Sequence, residues 1–229
     1  MLESLAPDIW HTQYHFLAHG VPLATRMTVV RLHDGALWLH SPIPLSGALR
    51  AQLDALGTVR YIVAPNKVHH LYAAAAAATY PEAQLYGPPG LRRKRRDLQS
   101  LLVLPRNVLP EWANDLDQVF FDGFPLGEET VWFHRSSRTL IVTDLCQWWQ
   151  GKLPFASRAY ARLTGVRERL AVPRTVRWLV TNRKAARASA ALILQWPIER
   201  LVVAHNCVIE RDALAEVSHA LRCFTGDAE

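Results

Sequence analysis

Residues 58–72 read TVRYIVAPNKVHHLY. β-Branched and aromatic residues carry TVRYIV into Pro65, so this stretch predicts a buried strand that runs out into a loop. Beyond the loop, HHLYAAAAAATYP is rich in the best helix former and stops at Pro81, which predicts a helix. The pair His69 and His70 therefore has two readings. It is a metal grip at the tip of a strand, or two histidines on the first helical turn held by backbone or water contacts.

Working outward, IWHTQYHF, RMTVVRL and ALWLHSPIPL are short apolar segments, and the HDG between the last two is a hairpin signal, because glycine accepts the positive φ of such turns. The opening predicts antiparallel strands. SGALRAQLDALG predicts a helix capped by Ser46, with leucines at 45, 49, 53 and 56, ending in a left-handed cap at Gly57. Downstream, AQLYGPP predicts a short strand, GPPG at 87–90 a rigid turn, and RRKRR at 92–96 a solvated helix start. QVFFDGFP, ETVWFH and RTLIVTDL read as strands, and 146–175 as a mixed, largely helical stretch. RKAARASAALILQW is a helix, ERLVVAHN a strand ending at His205, and DALAEVSHALRCF a final helix packed on the sheet.

A chain of 229 residues, half of them apolar, is long enough for one sizeable core, and a single domain over 1–229 is expected. Basic residues outnumber acidic ones 26 to 20 and cluster in RRKRR and between Arg158 and Arg187. No recognition helix or RNA-binding signature accompanies them, so a nucleic-acid partner is not expected. Three cysteines, Cys146, Cys207 and Cys223, are too few for a disulfide scaffold and lack Cys-x-x-Cys spacing, which fits a reducing compartment. MLESLAPDIW does not read as a secretory signal, and no stretch approaches the roughly 20 apolar residues that cross a bilayer. A soluble cytoplasmic protein with no membrane partner is the expectation. Gly-rich phosphate loops, a Gly-x-Ser-x-Gly elbow and usefully spaced Cys–His pairs are all missing.

Three strand ends, YIVAPNKVHH, TLIVTDL and LVVAHN, deliver potential ligands where β-branched runs stop, and strand-end loops are where sites are assembled. The metal candidates are His69, His70, Asp144 and His205. Imidazoles with one carboxylate make a chemically sensible set for zinc, iron or manganese. Taken singly, Asp144 also reads as a cap or turn residue ahead of LCQWW, and His205 as a turn before NCVI.

The order of elements and these strand ends resemble the metallo-β-lactamase-like superfamily, from about residue 25 to 215. More narrowly, PNKVHHLY, GPPGLRRKR, WFHRSSRTLIVTDL and VVAHN resemble an uncharacterised bacterial branch of it, a domain of unknown function. The resemblance implies an α/β fold: an αβ/βα sandwich of two mixed sheets flanked by helices. Laying the superfamily's T-H-x-H-x-D-H on this chain places its last histidine on His70 and its aspartate on His69. Its earlier histidines fall on Lys67 and Pro65, and a later one near Leu126. The bridging aspartate falls on Asp144 and the final histidine on His205.

By this carry-over one metal site is lost and the other keeps His70, Asp144 and His205, with His69 replacing a carboxylate. The implied cofactor is one divalent ion, zinc first, iron or manganese otherwise, or none. If only one of the pair ligates, motif identity selects His70. Asp144 and Lys67 are the expected catalytic residues, the Lys67 ammonium standing in for lost metal charge by binding an anionic substrate group or the Asp144 carboxylate. His40 stands where the superfamily often has an aspartate; it reads as a donor that orients a ligand from behind, an extra ligand, or a strand-end cap through a backbone bond. His134 is expected on the rim, and Trp148 and Trp149 in the core with one at the pocket mouth. The resemblance implies a hydrolase-like protein with at most one metal. The alternative is a catalytically inactive fold that binds a small anionic ligand or a partner protein.

Overall fold

The computed structural model describes residues 1–18 and 20–226. Two sheets stack face to face with helices on both outer faces, the αβ/βα sandwich. The first sheet holds β1 (Glu3–Ala6), β2 (Ile9–Ala18), β3 (Val21–Arg31), β4 (Ala36–His40), β5 (Thr58–Val63), β6 (Gln84–Gly87) and β7 (Leu102–Val103), side by side in that order. β1 to β4 form an antiparallel meander, and β4 to β7 run parallel. Parallel neighbours need crossovers, supplied by α1 (Gly47–Leu56), α2 (Ala73–Thr79) and α3 (Pro89–Lys94).

The second sheet contains β8 (Leu116–Phe120), β9 (Thr130–His134), β10 (Thr139–Val142), β11 (Arg200–Val203) and β12 (Val208–Ile209). β10 pairs parallel with β11 and the other contacts are antiparallel. Between β10 and β11 come α4 (Phe155–Thr164), α5 (Arg174–Leu179) and α6 (Arg183–Ile193), and α7 (Ala213–Thr225) follows β12.

Side-chain alternation explains why the strands read as continuous apolar runs. Trp38, Tyr61, Val63, Trp132, Ile141 and Val202 point into the space between the sheets. Their neighbours Leu37, Leu39 and Ile62 face α1 and α2, while Val131, Phe133, Leu140, Val142, Leu201 and Val203 face α6 and α7. A strand covered on both faces has no polar side to show.

Three local expectations change. Gly57 is extended rather than left-handed, at φ 162°, and a Cβ there would meet Gly35 O at 2.4 Å, so close approach to the β3–β4 hairpin is what demands glycine. Ser46 does cap α1, accepting from Leu49 N at 3.2 Å. The helix after the histidine pair begins only at Ala73, and GPPG opens α3, with Pro89 at its first position, instead of forming an isolated turn.

Candidate metal centre

Because β4 and β5 are adjacent in one sheet, and β10 and β11 in the other, the carboxyl ends of all four gather at one edge of the sandwich. Their exits are tied together by backbone bonds: Ser41 N to Val63 O at 2.9 Å, Ala204 N to Val142 O at 3.0 Å and, across the sheets, Thr130 N to Pro65 O at 3.0 Å.

Asn66, fully buried, organises the loop after β5. Its Oδ1 accepts from Val68 N at 2.8 Å and His69 N at 2.7 Å, an Asx turn that aims His69 inward. Its Nδ2 donates to Asp144 Oδ2 and Thr143 Oγ1, each at 2.9 Å. Glu129, just before β9, is as deeply buried. Its carboxylate accepts Thr143 N at 2.8 Å, Asp144 N at 2.9 Å and Leu145 N at 3.0 Å, which fixes the turn that presents Asp144. Burial and the neighbouring Asp144 charge push the Glu129 carboxyl up, to about 7, against the pull of those N–H donors. Neither residue was singled out from sequence. A Pro-Asn after a strand is a turn signal that could have found Asn66, whereas nothing local marks Glu129.

On this frame His69 Nε2, Asp144 Oδ1 and His205 Nε2 converge. His69 and His205 are 3.1 Å apart, His205 and Asp144 3.2 Å, and His69 and Asp144 3.5 Å. A tetrahedral ion with bonds of about 2.0–2.1 Å separates its ligands by roughly 3.3 Å. The other ring nitrogens are anchored: His69 Nδ1 to Ser41 Oγ at 2.8 Å and His205 Nδ1 to Ala24 O at 2.8 Å. A carbonyl only accepts, so His205 Nδ1 carries the proton, and in the neutral ring Nε2 turns a lone pair toward the Asp144 oxygen. Two acceptors in contact require a positive charge between them, either a proton or a metal ion. The residues present fit a divalent ion. Burial opposes ionisation of Asp144, but the His69 and His205 rings outweigh it and hold the carboxyl well below the usual range. Burial likewise works against the His205 cation, yet the hydrogen bond to Asp144 raises its pKa.

The adjacent His70 turns away. Its Nδ1 lies 3.0 Å from Arg95 Nη1, and burial together with the Lys94 and Arg95 charges lowers its pKa to about 4. The expected preference for His70 is thus reversed in favour of His69, because the Asx turn, not motif identity, sets direction. Lys67 does not reach Asp144 either. Its Nζ donates to Pro125 O at 2.6 Å and Glu128 Oε1 at 3.4 Å, leaving Asn66 and Gln147 as the side-chain amide donors on Asp144. His40 is stacked on Trp38 and edge-on to Trp132, with neither ring nitrogen hydrogen-bonded among the described residues, so it is neither ligand nor backbone cap. Burial, then His69, drives its pKa down to about 3. His134 is buried within β9 rather than on a rim, its Nδ1 2.7 Å from Ser137 Oγ. Among the described residues no second group of three such ligands gathers, and Leu126 is exposed.

Above the trio opens a cavity of about 530 Å³, walled by Phe16, Leu23, Leu71, Tyr72, Trp149 and Tyr160, with His70 and Lys94 also lining it. Trp149 supplies the expected aromatic wall, held by its Nε1 donating to Gln147 Oε1 at 3.0 Å, while Trp148 packs partly buried on the second sheet's outer core.

Stacked mixed sheets flanked by helices, with a His/Asp/His set at the strand ends, define a protein of the metallo-β-lactamase fold. The chain belongs to the family described as Domain of unknown function (DUF4336), which matches residues 7–158 and so includes His69 and Asp144 but not His205. Similar solved structures include a metallo-beta-lactamase from Pontibacter korlensis, 11% identical over 99% of both chains with a TM-score of 0.65. Another is a metallo beta lactamase from Hirschia baltica, 11% identical over 96% of this chain and 97% of that one, with a TM-score of 0.62. The Flv1 flavodiiron core from Synechocystis sp. PCC6803 is 11% identical, covering 98% of this chain and 60% of that one, with a TM-score of 0.68. At such identity the likeness is one of fold. No curated protein matches the chain.

Proposed function

We propose that this protein is a hydrolase-like enzyme, the whole chain acting as one domain, that works with a single divalent ion held by His69, Asp144 and His205, zinc before iron or manganese. The observation that carries this reading is the triangle of acceptor atoms with edges of 3.1, 3.2 and 3.5 Å, each residue braced from behind by Ser41, Asn66 or Ala24. When bound, such an ion lowers the pKa of a water, the chemistry that hydrolysis at a carbonyl or phosphoryl centre needs.

The residues around it supply the rest. Asn66 locks Asp144 Oδ2, so Oδ1 faces the cavity, where Gln147 Nε2 donates to it at 3.3 Å. With Oδ1 on the ion and Oδ2 held by Asn66, Asp144 would serve as a ligand rather than as the acceptor of a proton. Trp149, Tyr160 and Phe16 limit water around a small-molecule substrate, and Lys94 at the rim favours one bearing a negative charge. That basic rim also favours a second reading, an inactive fold that binds a small anion without metal. The free thiols of Cys146, Cys207 and Cys223 support a cytoplasmic setting, and no helix among the described residues is long and apolar enough to cross a membrane.

The test is metal analysis of protein purified without chelators and reconstituted with zinc, iron(II) or manganese. One equivalent per chain, lost in His69→Ala and His205→Ala and kept in His70→Ala, is expected. Failure to take up any of the three metals, or retention by both alanine variants of the trio, would sink the metal reading. An anion that then still binds the metal-free wild type supports the second.

A further inference from the structure

Between Cys146 and Ile198 the chain carries ten lysines and arginines and a single acidic residue, Glu168, a net charge of +9. The whole chain carries +6, so the remaining residues sum to −3. All of the molecule's positive excess lies on one stretch. Pairing is just as uneven. Outside the stretch Arg31, Arg60, Arg95, Arg106, Arg135 and Arg138 each hold a carboxylate, but among the described residues none of the ten does.

Nine of these cations sit on and between α4, α5 and α6, with Lys152 just ahead of α4, and the helices are continuous in space: Arg174 Nη1 donates to Leu163 O at 3.2 Å, joining α4 to α5, and three residues separate α5 from α6. The same stretch carries exposed apolar groups. Phe155 is 79% exposed, Leu163 74% and Trp178 78%, with Leu179 exposed beside it. Among the described residues Phe155 and Trp178 are the exposed rings of phenylalanine, tyrosine or tryptophan type.

We propose that this face docks on an anionic phospholipid surface. Guanidinium and ammonium groups that hold no carboxylate match lipid phosphates, Arg167 and Arg174 apart, which donate to backbone carbonyls, and the charge separation between this face and the rest orients the molecule as it approaches. Trp178 and Phe155 are the ring types that settle at headgroup level, and Leu163 and Leu179 lose exposed apolar area only if something apolar receives them. A nucleic acid would use the cations and the rings but would leave both leucines in water. A chain unable to span a bilayer can still lie on one, so the expectation of no membrane partner, drawn from the lack of a spanning segment, does not bear on this face.

The test is vesicle flotation of the full chain with phosphatidylcholine alone and with phosphatidylcholine mixed with phosphatidylglycerol, beside binding of a single-stranded oligonucleotide. Flotation with the anionic vesicles only is expected. The triple variant Arg162→Glu, Arg177→Glu, Lys184→Glu changes exposed side chains and should weaken it by more than about a hundredfold, on the basis of roughly fivefold per cation near a charged surface. Trp178→Ser with Leu179→Ser should weaken it about tenfold with the salt dependence unchanged, which keeps the idea testable if the triple variant misfolds by circular dichroism. The proposal is overturned if wild type ignores anionic vesicles, floats equally with neutral ones, binds only the oligonucleotide, or is matched by the folded variants.

Discussion

Replacing Glu129 tests whether the centre is held from beneath. Its two oxygens take different partners: Oε1 receives Thr143 N, while Oε2 receives Asp144 N and Leu145 N, with Asn66 Nδ2 at 3.4 Å. In Glu129→Gln the amide oxygen can serve only one side, and its NH₂ must face an N–H donor on the other. One buried donor then loses its acceptor and meets a second donor, which costs up to about 2–3 kcal/mol, offset in part by removing a buried charge beside Asp144. Glu129→Ala orphans three backbone donors, for roughly 3–9 kcal/mol before the relief of no longer burying a carboxylate. Total stability is of order 5–15 kcal/mol, so the glutamine variant folds and the alanine variant is at risk. For a chain of this size the glutamine change corresponds to a drop of up to about 12 °C in Tm. Urea and thermal denaturation of metal-free protein, followed by tryptophan fluorescence, measure it without contributions from bound metal. Because the 143–145 turn presents Asp144, zinc affinity should also fall about 10–100-fold, as for other groups that orient ligands. A glutamine variant within about 0.5 kcal/mol of wild type and binding zinc equally well would refute the reasoning.

His40→Phe should be as stable as wild type or more so at pH 7.5, because it replaces an imidazole without hydrogen bonds by a ring that suits the Trp38–Trp132 slot. The folded pKa of His40 is lowered to about 3 from 6.5, so below pH 6.5 the unfolded chain binds the proton and the folded one does not. Wild type therefore loses about 1.4 kcal/mol per pH unit on this account as pH falls, and the variant does not; urea midpoints that stay parallel from pH 7.5 to 4.5 would contradict this. Arg26, buried and without a carboxylate partner among the described residues, donates to Val203 O at 2.5 Å, Cys207 O at 2.9 Å and Asn206 O at 3.1 Å. Arg26→Met should cost about 1–3 kcal/mol and speed hydrogen exchange over 203–207, with zinc bound more weakly though every ligand remains. Lys67→Ala should keep its full metal content and lose about 1 kcal/mol in urea denaturation, since Lys67 faces Pro125 and Glu128 rather than the trio; metal loss would return it to the site.

Much of the fold was legible because its strands are covered on both faces. TVRYIV, RTLIV and RLVV place apolar side chains toward the other sheet and toward helices alike, and that continuous signal survives without knowing the partner. Gly57 was recognised as a helix end but not for its reason, which lies across the sheet at Gly35 O. For the site, three strand ends with Asp144, His205 and a histidine pair could be read as candidates, while Asn66 and Glu129 could not be given roles. Glu129 acts through backbone N–H groups 14 to 16 residues away, which no side-chain pattern records.

By itself the sequence determined the elements and which strand ends carry nitrogen and carboxylate ligands, because alternation and composition are properties of a segment alone. Tertiary structure decided which of two adjacent histidines faces Asp144. That choice rests on Asn66 being held at once by the loop it turns and by the Asp144 loop of the opposite sheet, and a bond between two sheets exists only after they have stacked.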